Sequence, residues 1–166
     1  MDVAKVEINS AKMFWISGVQ FVQPKNSHSA QSLVRFLRDN HIDTIVNLSD
    51  FPYTEEYENL YKQAGIQTIT GFPLDDRAFT ERDFPQLKRV MEGLYKKLGH
   101  RVLVHCTAGI NRSATLIVYA ITHDGYLSAE DVIDKLRHSN LKWRSSPTLT
   151  NSTFEQFLKN EKNIRI

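Results

Sequence analysis

Residues 101–115 read RVLVHCTAGINRSAT, and this stretch decides the fold. Arg101 to His105 is a short, nearly continuous apolar run, the pattern of a strand covered on both faces. Small residues follow at Thr107, Ala108 and Gly109, and a helical pattern opens near Arg112 and runs to about residue 123. Other strand and helix patterns alternate along the chain. The expected class is therefore α/β, with a central, mostly parallel sheet flanked by helices and a strand–phosphate loop–helix unit at 101–123. In open sheets of this kind ligands bind beyond the carboxyl ends of the strands, which puts Cys106 at the functional end.

The spacing after Cys106 has a chemical reading. Thr107, Ala108, Gly109, Ile110 and Asn111 are enough chain to wrap successive backbone N–H groups around one tetrahedral oxyanion. Gly109 admits torsions that a Cβ would block. A helix starting at Arg112 turns its positive end toward the same point, and the Arg112 guanidinium can grip two phosphate oxygens with a planar fork. Such surroundings favour thiolate over thiol, so Cys106 is expected to be a nucleophile aimed at phosphorus. Ser113 can hydrogen-bond the sulfur and make it a better leaving group. His105 is expected to orient the loop through its ring nitrogens, with no proton-transfer role. A solitary Cys at a strand end is ordinarily a small buried hydrophobe. The His before it, the Gly three residues after and the Arg-Ser pair six and seven residues after argue against that here. His28, His41, His100, His123 and His138 show no ligand spacing, so no metal is expected, and no cofactor.

Working outward, Met13 to Val22 reads as one or two short strands, broken at Ser17-Gly18. Asn26-Ser27 can cap a helix with Ala30, Leu33, Val34 and Leu37 on one face. Ile42 to Leu48 is a β-branched run suited to a central strand. Thr54 opens a helix with Glu55 and Glu56 in its first turn, stopping at Gly65, and Ile66 to Thr70 reads as another strand. The loop 71–79, GFPLDDRAF, holds two adjacent Asp. Thr80, with Asp83 three residues on, caps a helix whose apolar face is Phe84, Leu87, Met91, Leu94 and Leu98, ending at Gly99. Helical patterns also cover about 128–138, capped by Ser128, and 151–160.

Composition narrows the function classes. The 166 residues (19.2 kDa) suit one domain, here bounded as 13–166 after an N-terminal arm, 1–12. Apolar residues at 41% and charged residues at 24% exclude the disordered and low-complexity classes. Lys plus Arg number 21 against 19 Asp plus Glu, and a net charge of +2 supplies no field for non-specific nucleic-acid binding. A single Cys excludes an intramolecular disulfide and a Cys-based zinc cluster, and it suits a reducing compartment. No signal peptide or apolar membrane span is legible. Asp2 follows Met1 where myristoylation needs Gly, and the end NIRI is not a prenylation box. The expected location is the cytoplasm or nucleus, or the infected-cell cytoplasm or virion for a viral source, with no membrane partner.

His105-Cys-Thr-Ala-Gly-Ile-Asn-Arg-Ser113 resembles the signature loop of the cysteine-dependent protein tyrosine phosphatases. The Ala-Gly centre and the small single domain resemble the dual-specificity branch, in its cellular or viral form. Upstream, IDTIVNLSD is similar to the strand and turn before the family's acid loop. Downstream, residues 116–140 and 146–158 are similar to its C-terminal helices, so the resemblance runs from about 13 to 160. It implies hydrolysis of phosphotyrosine and of phosphoserine or phosphothreonine in proteins, through a cysteinyl-phosphate. It also implies a general acid, an Asp about thirty residues before the Cys. Asp75 lies 31 before and Asp76 lies 30 before. Asp75 fits the family spacing better, and Asp76 reads as a turn residue. Asp43, Asp50, Asp83 and Asp124 read as turn, cap or exposed residues.

The resemblance departs from the larger tyrosine phosphatases in lacking a legible aromatic recognition loop, although Phe51 and Tyr53 could line an edge of the site. That favours a shallow pocket. Arg77 and Arg144 could meet a second phosphate, but each reads more simply as solvated. Four competing readings are weaker. An RNA 5′-triphosphatase of similar loop carries His-Gly after Cys-Thr and Thr-Gly after the Arg, where this chain has Ala108 and Ser113-Ala114. A lipid (phosphoinositide) or glycan phosphatase also suits a shallow pocket. An inactive phosphoprotein-binding relative usually loses the Cys, the Arg or the acid, and all are present. A rhodanese-type sulfur carrier needs neither Arg112 nor Ser113. Phosphorylated proteins are the expected partners, and the oligomeric state is left open.

Overall fold

The computed structural model describes residues 3–71, 80–107, 111–139 and 151–164. Five strands form one sheet in the order β1-β2-β5-β3-β4. They are β1 (Val3–Val6), β2 (Met13–Ser17), β3 (Thr44–Asn47), β4 (Gln67–Thr70) and β5 (Arg101–His105). β2, β5, β3 and β4 run parallel, and β1 adds antiparallel to the β2 edge. The apolar run at 101–105 thus becomes the middle strand, with β2 on one side and β3 on the other.

Alternation along the strands divides the core between the two faces of the sheet. Trp15, Ile45 and Leu103 point to one face and pack with Leu33 and Leu37 of α2 (Ser27–Asp39) and Tyr57 and Tyr61 of α3 (Glu55–Gln63). Phe14, Ile16, Val46, Val102 and Val104 point to the other. There they meet α4 (Phe84–Lys97), α5 (Arg112–His123), α6 (Ala129–Ser139) and α7 (Ser152–Lys159). α5 lies at the centre of that layer, and its residues from Ser113 to Thr122 are all buried.

Most local signals act as the sequence predicts. Asn26 caps α2, its side chain accepting from the Ser29 N–H at 2.8 Å. Gly65 follows α3 with φ +74°, a conformation that favours glycine. Three details differ. Residues 3–6, within the stretch read as an N-terminal arm, form β1 and place Val6 in the core. The second half of Met13–Val22 is a one-turn helix, α1 (Val19–Val22), because the chain leaves the sheet at Gly18. The Thr80–Asp83 capping box closes a 3₁₀ turn, Glu81–Asp83, and α4 starts after it. Pro85 in the first turn of α4 has no N–H that would need an intrahelical partner. Among the described residues no helix is long and apolar enough to cross a membrane.

Candidate active site

Because β2, β5 and β3 are parallel, their carboxyl ends meet on one side of the sheet. Ser17 and Asn47 both stand in register with His105. The Leu48 N–H continues the ladder onto the His105 carbonyl at 2.8 Å. Cys106 therefore leaves the sheet between two neighbouring strand ends and is buried, 5% exposed. The next residue is also anchored, its carbonyl accepting from the Val19 N–H at 3.3 Å. Gly18 makes this close approach possible, since a Cβ there would stand 3.3 Å from the Thr107 carbonyl oxygen.

Across the loop, α5 opens at Arg112. The Asn111 carbonyl accepts from the Thr115 N–H at 2.9 Å and its hydroxyl at 2.7 Å. The Asn111 side chain accepts from the Asn151 N–H at 2.9 Å, tying the start of α7 to the end of the loop. Ala108, Gly109 and Ile110, expected to complete the anion cradle, lie outside the described residues, as do the acid candidates Asp75 and Asp76 and the cations Arg77 and Arg144.

Arg112 is held by the β3 end of the sheet. Its Nη1 donates to the Leu48 carbonyl at 2.8 Å and to Asp50 Oδ1 at 3.3 Å, and its Nη2 donates to Asp50 Oδ2 at 3.4 Å. Its side chain is 11% exposed, that of Asp50 72%. Asp50, read from the sequence as a bland turn residue, thus forms a two-point clamp on the terminal edge of the guanidinium. The turn that presents it is locked. Asn47 accepts from the Ser49 N–H and hydroxyl at 2.9 and 2.6 Å, and its amide donates to the Phe51 carbonyl at 2.8 Å. A signal for Asp50 existed: the chain leaves a β-branched strand at Leu48, and a parallel neighbour of β5 delivers its next residues beside the loop.

Of the aromatic pair expected at the edge of the site, Phe51 is exposed and Tyr53 is not. Tyr53 turns inward, 7% exposed, with its hydroxyl 2.5 Å from Nε2 of His105. Burial of the His105 ring holds its pKa down at about 3, while the Cys106 backbone pulls weakly the other way, so the ring is neutral at physiological pH. This agrees with an orienting role without proton transfer. Ser113 is fully buried and its hydroxyl makes no hydrogen bond among the described residues, the sulfur of Cys106 included. Among the described residues no group of three or more His, Cys, Asp or Glu side chains converges on a point that could hold a metal ion.

Comparison with known proteins agrees with this geometry. Residues 24–162 match the family model of the dual specificity phosphatase catalytic domain. A protein of Amsacta moorei entomopoxvirus assigned as a tyrosine-protein phosphatase is 27% identical over 118 residues, 68% of each chain. The fold is shared with a protein tyrosine phosphatase of Leishmania major (TM-score 0.64, 20% identity, covering 96% of this chain and 98% of that one). It is shared equally with kinase associated phosphatase, solved with its catalytic cysteine changed to serine (TM-score 0.64, 19% identity, 96% and 92% covered). With a loop, a sheet and a family match spanning most of the chain in agreement, the protein belongs to the dual-specificity phosphatase catalytic-domain family and is a cysteine-dependent phosphatase of phosphorylated proteins.

Proposed function

We propose that Cys106 attacks the phosphorus of phosphotyrosine, phosphoserine and phosphothreonine side chains. The observation that carries this reading is the seat of Cys106 between the carboxyl ends of β2 and β3, with Arg112 at the start of α5 held by Leu48 and Asp50 of the β3 end. The Arg112 guanidinium, held by Leu48 and Asp50, offers a planar fork to two oxygens of the phosphate. The S–P bond forms as the P–O bond to the substrate breaks, and Asp75 gives its proton to the departing oxygen. Water then attacks phosphorus, the S–P bond breaks, and the Asp75 carboxylate takes the water proton. The backbone N–H groups of Thr107, Ala108, Gly109, Ile110 and Asn111 hold the equatorial oxygens. Ser113 turns its hydroxyl to the sulfur as charge returns to it in the second step, for which its unspent hydrogen-bonding capacity suits it. The reaction needs no metal or cofactor, and the chemistry suits the reducing cytoplasm or nucleus, where Cys106 stays a thiol or thiolate.

The test is Cys106→Ser. The variant should fold, bind inorganic phosphate with affinity near that of the parent, and lose turnover of phosphotyrosine and phosphothreonine peptides. Residual turnover above a few per cent would remove Cys106 as nucleophile. Turnover by the parent of phosphoinositide or triphosphate RNA, in preference to phosphopeptides, would overturn the assignment of substrate class.

A further inference from the structure

On the face of the sheet away from α5, two crossover helices leave a crevice between them. α2 links β2 to β3 and α3 links β3 to β4, and both pack on Trp15, Ile45 and Leu103. Their inward side chains Leu33, Leu37, Tyr57 and Tyr61 are buried. Further out, Ala30, Val34 and Leu60 are half-buried and Ala64 is exposed. Two adjoining depressions of about 390 and 370 Å³ lie along this crevice. The apolar floor of the first is Val34, Leu37, Ile42, Leu60, Ala64 and Ile66; that of the second is Ala30, Val34 and Leu60. Alanine at 30 and 64 is too short to fill the space. The spacing of the helices is fixed at both ends. The Tyr57 hydroxyl donates to the Pro24 carbonyl at 2.5 Å and the Tyr61 hydroxyl to the Val22 carbonyl, pinning α3 to the segment that leads into α2. At the other end of α2, Arg101 Nε donates to the Asn40 carbonyl at 2.6 Å.

The charge of the rim has one sign. Among the described residues Arg35, Arg38 and His41 line the depressions, and no Asp or Glu does; the nearby Asp39 and Glu56 line neither. Both arginines are exposed, and among the described residues neither forms an ion pair. An apolar floor open to water is stabilised when a partner's apolar side chains cover it, and a basic rim selects carboxylates. We propose that the α2–α3 crevice is a docking groove for a segment of a partner protein with two large apolar side chains flanked by carboxylates. The concave floor suits inserted side chains. A bilayer is instead entered by apolar residues that project, and the floor has no aromatic ring on which a base could stack. Ile42 and Ile66 lead into the amino ends of β3 and β4, whereas Cys106 lies beyond the carboxyl end of β5. The depression they line is therefore set toward the opposite end of the sheet from the nucleophile, and one phosphorylated protein can occupy both places at once. A segment held there raises the local concentration of the same protein's phosphorylated side chain.

The test is direct binding to the whole protein, measured by fluorescence anisotropy and independent of turnover. Two labelled peptides share leucine at each third or fourth position; one carries glutamate elsewhere and the other lysine. The glutamate peptide should bind with micromolar affinity that weakens as salt is raised, and the lysine peptide should not bind. Arg38→Glu turns attraction into repulsion and should weaken binding about tenfold. Ala64→Gln fills the first depression from an exposed position and should weaken binding several-fold. Both positions are exposed, so both variants should fold and turn over a free aryl phosphate as the parent does. Equal binding of the two peptides, no binding of the glutamate peptide at millimolar concentration, or folded variants that bind like the parent, overturns the proposal. Flotation with vesicles of phosphatidylserine and phosphatidylcholine that Arg38→Glu abolishes would make the occupant a membrane. Self-association in sedimentation that Ala64→Gln abolishes would make it a second copy of this chain. Either result overturns the assignment to a partner protein. A parent that binds the glutamate peptide as described but hydrolyses no phosphopeptide would support the groove and remove the phosphatase reading instead.

Discussion

Replacing Gly99 by alanine should destabilise the protein by about 3 kcal/mol while leaving its chemistry intact. Gly99 follows α4 and leads into β5, and its φ is not in the left-handed region, so the backbone alone would accept alanine. The obstacle is space. An added Cβ would stand 2.0 Å from Asp43 Oδ1 and 2.7 Å from both Asp43 Cγ and Thr44 Oγ1. Those atoms cannot step aside cheaply. Asp43 accepts from the His100 and Arg101 N–H groups at 3.0 and 2.9 Å and from the Thr44 hydroxyl at 2.6 Å, and that hydroxyl accepts from the Gly99 N–H at 3.1 Å. Relieving the collision means giving up one or two bonds to a carboxylate, each worth about 1.5–3 kcal/mol. For a chain of this size such a loss lowers Tm by about 6–12 °C. Gly99 sits about 20 Å of extended chain from Cys106, so kcat per folded molecule at low temperature should stay within about twofold. Thermal unfolding followed by circular dichroism, beside turnover of an aryl phosphate, measures both. In an Asp43→Ala background, where two of the three obstructing atoms are gone, the same change should cost markedly less. A Tm within 2 °C of the parent (roughly 1 kcal/mol or less), or an equal loss in the Asp43→Ala background, would refute the collision.

The remaining expectations concern the site. Arg112→Lys should lose most of kcat/KM, because an ammonium is a point charge and cannot reproduce the planar fork; near-normal kcat/KM in that variant would show the fork is not needed. Asp50→Asn should leave stability within about 1 kcal/mol, since the carboxylate is largely exposed, but should weaken competitive inhibition by phosphate a few-fold; tighter phosphate inhibition would mean Asp50 competes with the ligand instead. Asp75→Asn should slow hydrolysis of phosphoserine or phosphotyrosine by roughly 10²–10⁴-fold. The same variant should slow an activated aryl phosphate less and lose the basic limb of the pH–rate profile, with Asp76→Asn showing neither effect; exchanged behaviours would move the acid to Asp76. His105 gives a stability signature: its pKa is about 3 when folded against 6.5 unfolded, so the unfolded chain binds the extra proton and stability falls as pH drops from 6.5 toward 3. The loss should reach about 2 kcal/mol by pH 5 in urea unfolding, and His105→Gln should shrink it.

Much was legible before any coordinates, for local reasons. The middle strand announced itself because a strand covered on both faces must be apolar at successive positions, as Val102, Leu103 and Val104 are. The Asn26 cap is likewise local, since a cap is built from consecutive backbone groups. The structure alone decided what depends on neighbours distant in sequence. β1 could not be recognised in four residues that make sense only against β2. Asp50 has the composition of a turn, and it becomes part of the site because parallel pairing sets the end of β3 beside the end of β5. Tyr53 resembles a wall for substrate when read beside Phe51, yet Phe51 faces solvent and Tyr53 faces His105. Cys106 and Arg112 could be singled out together from the chain because they stand in one short stretch of it. What holds Arg112 and His105 in place comes from a turn more than fifty residues earlier, and only the folded sheet brings that turn to them.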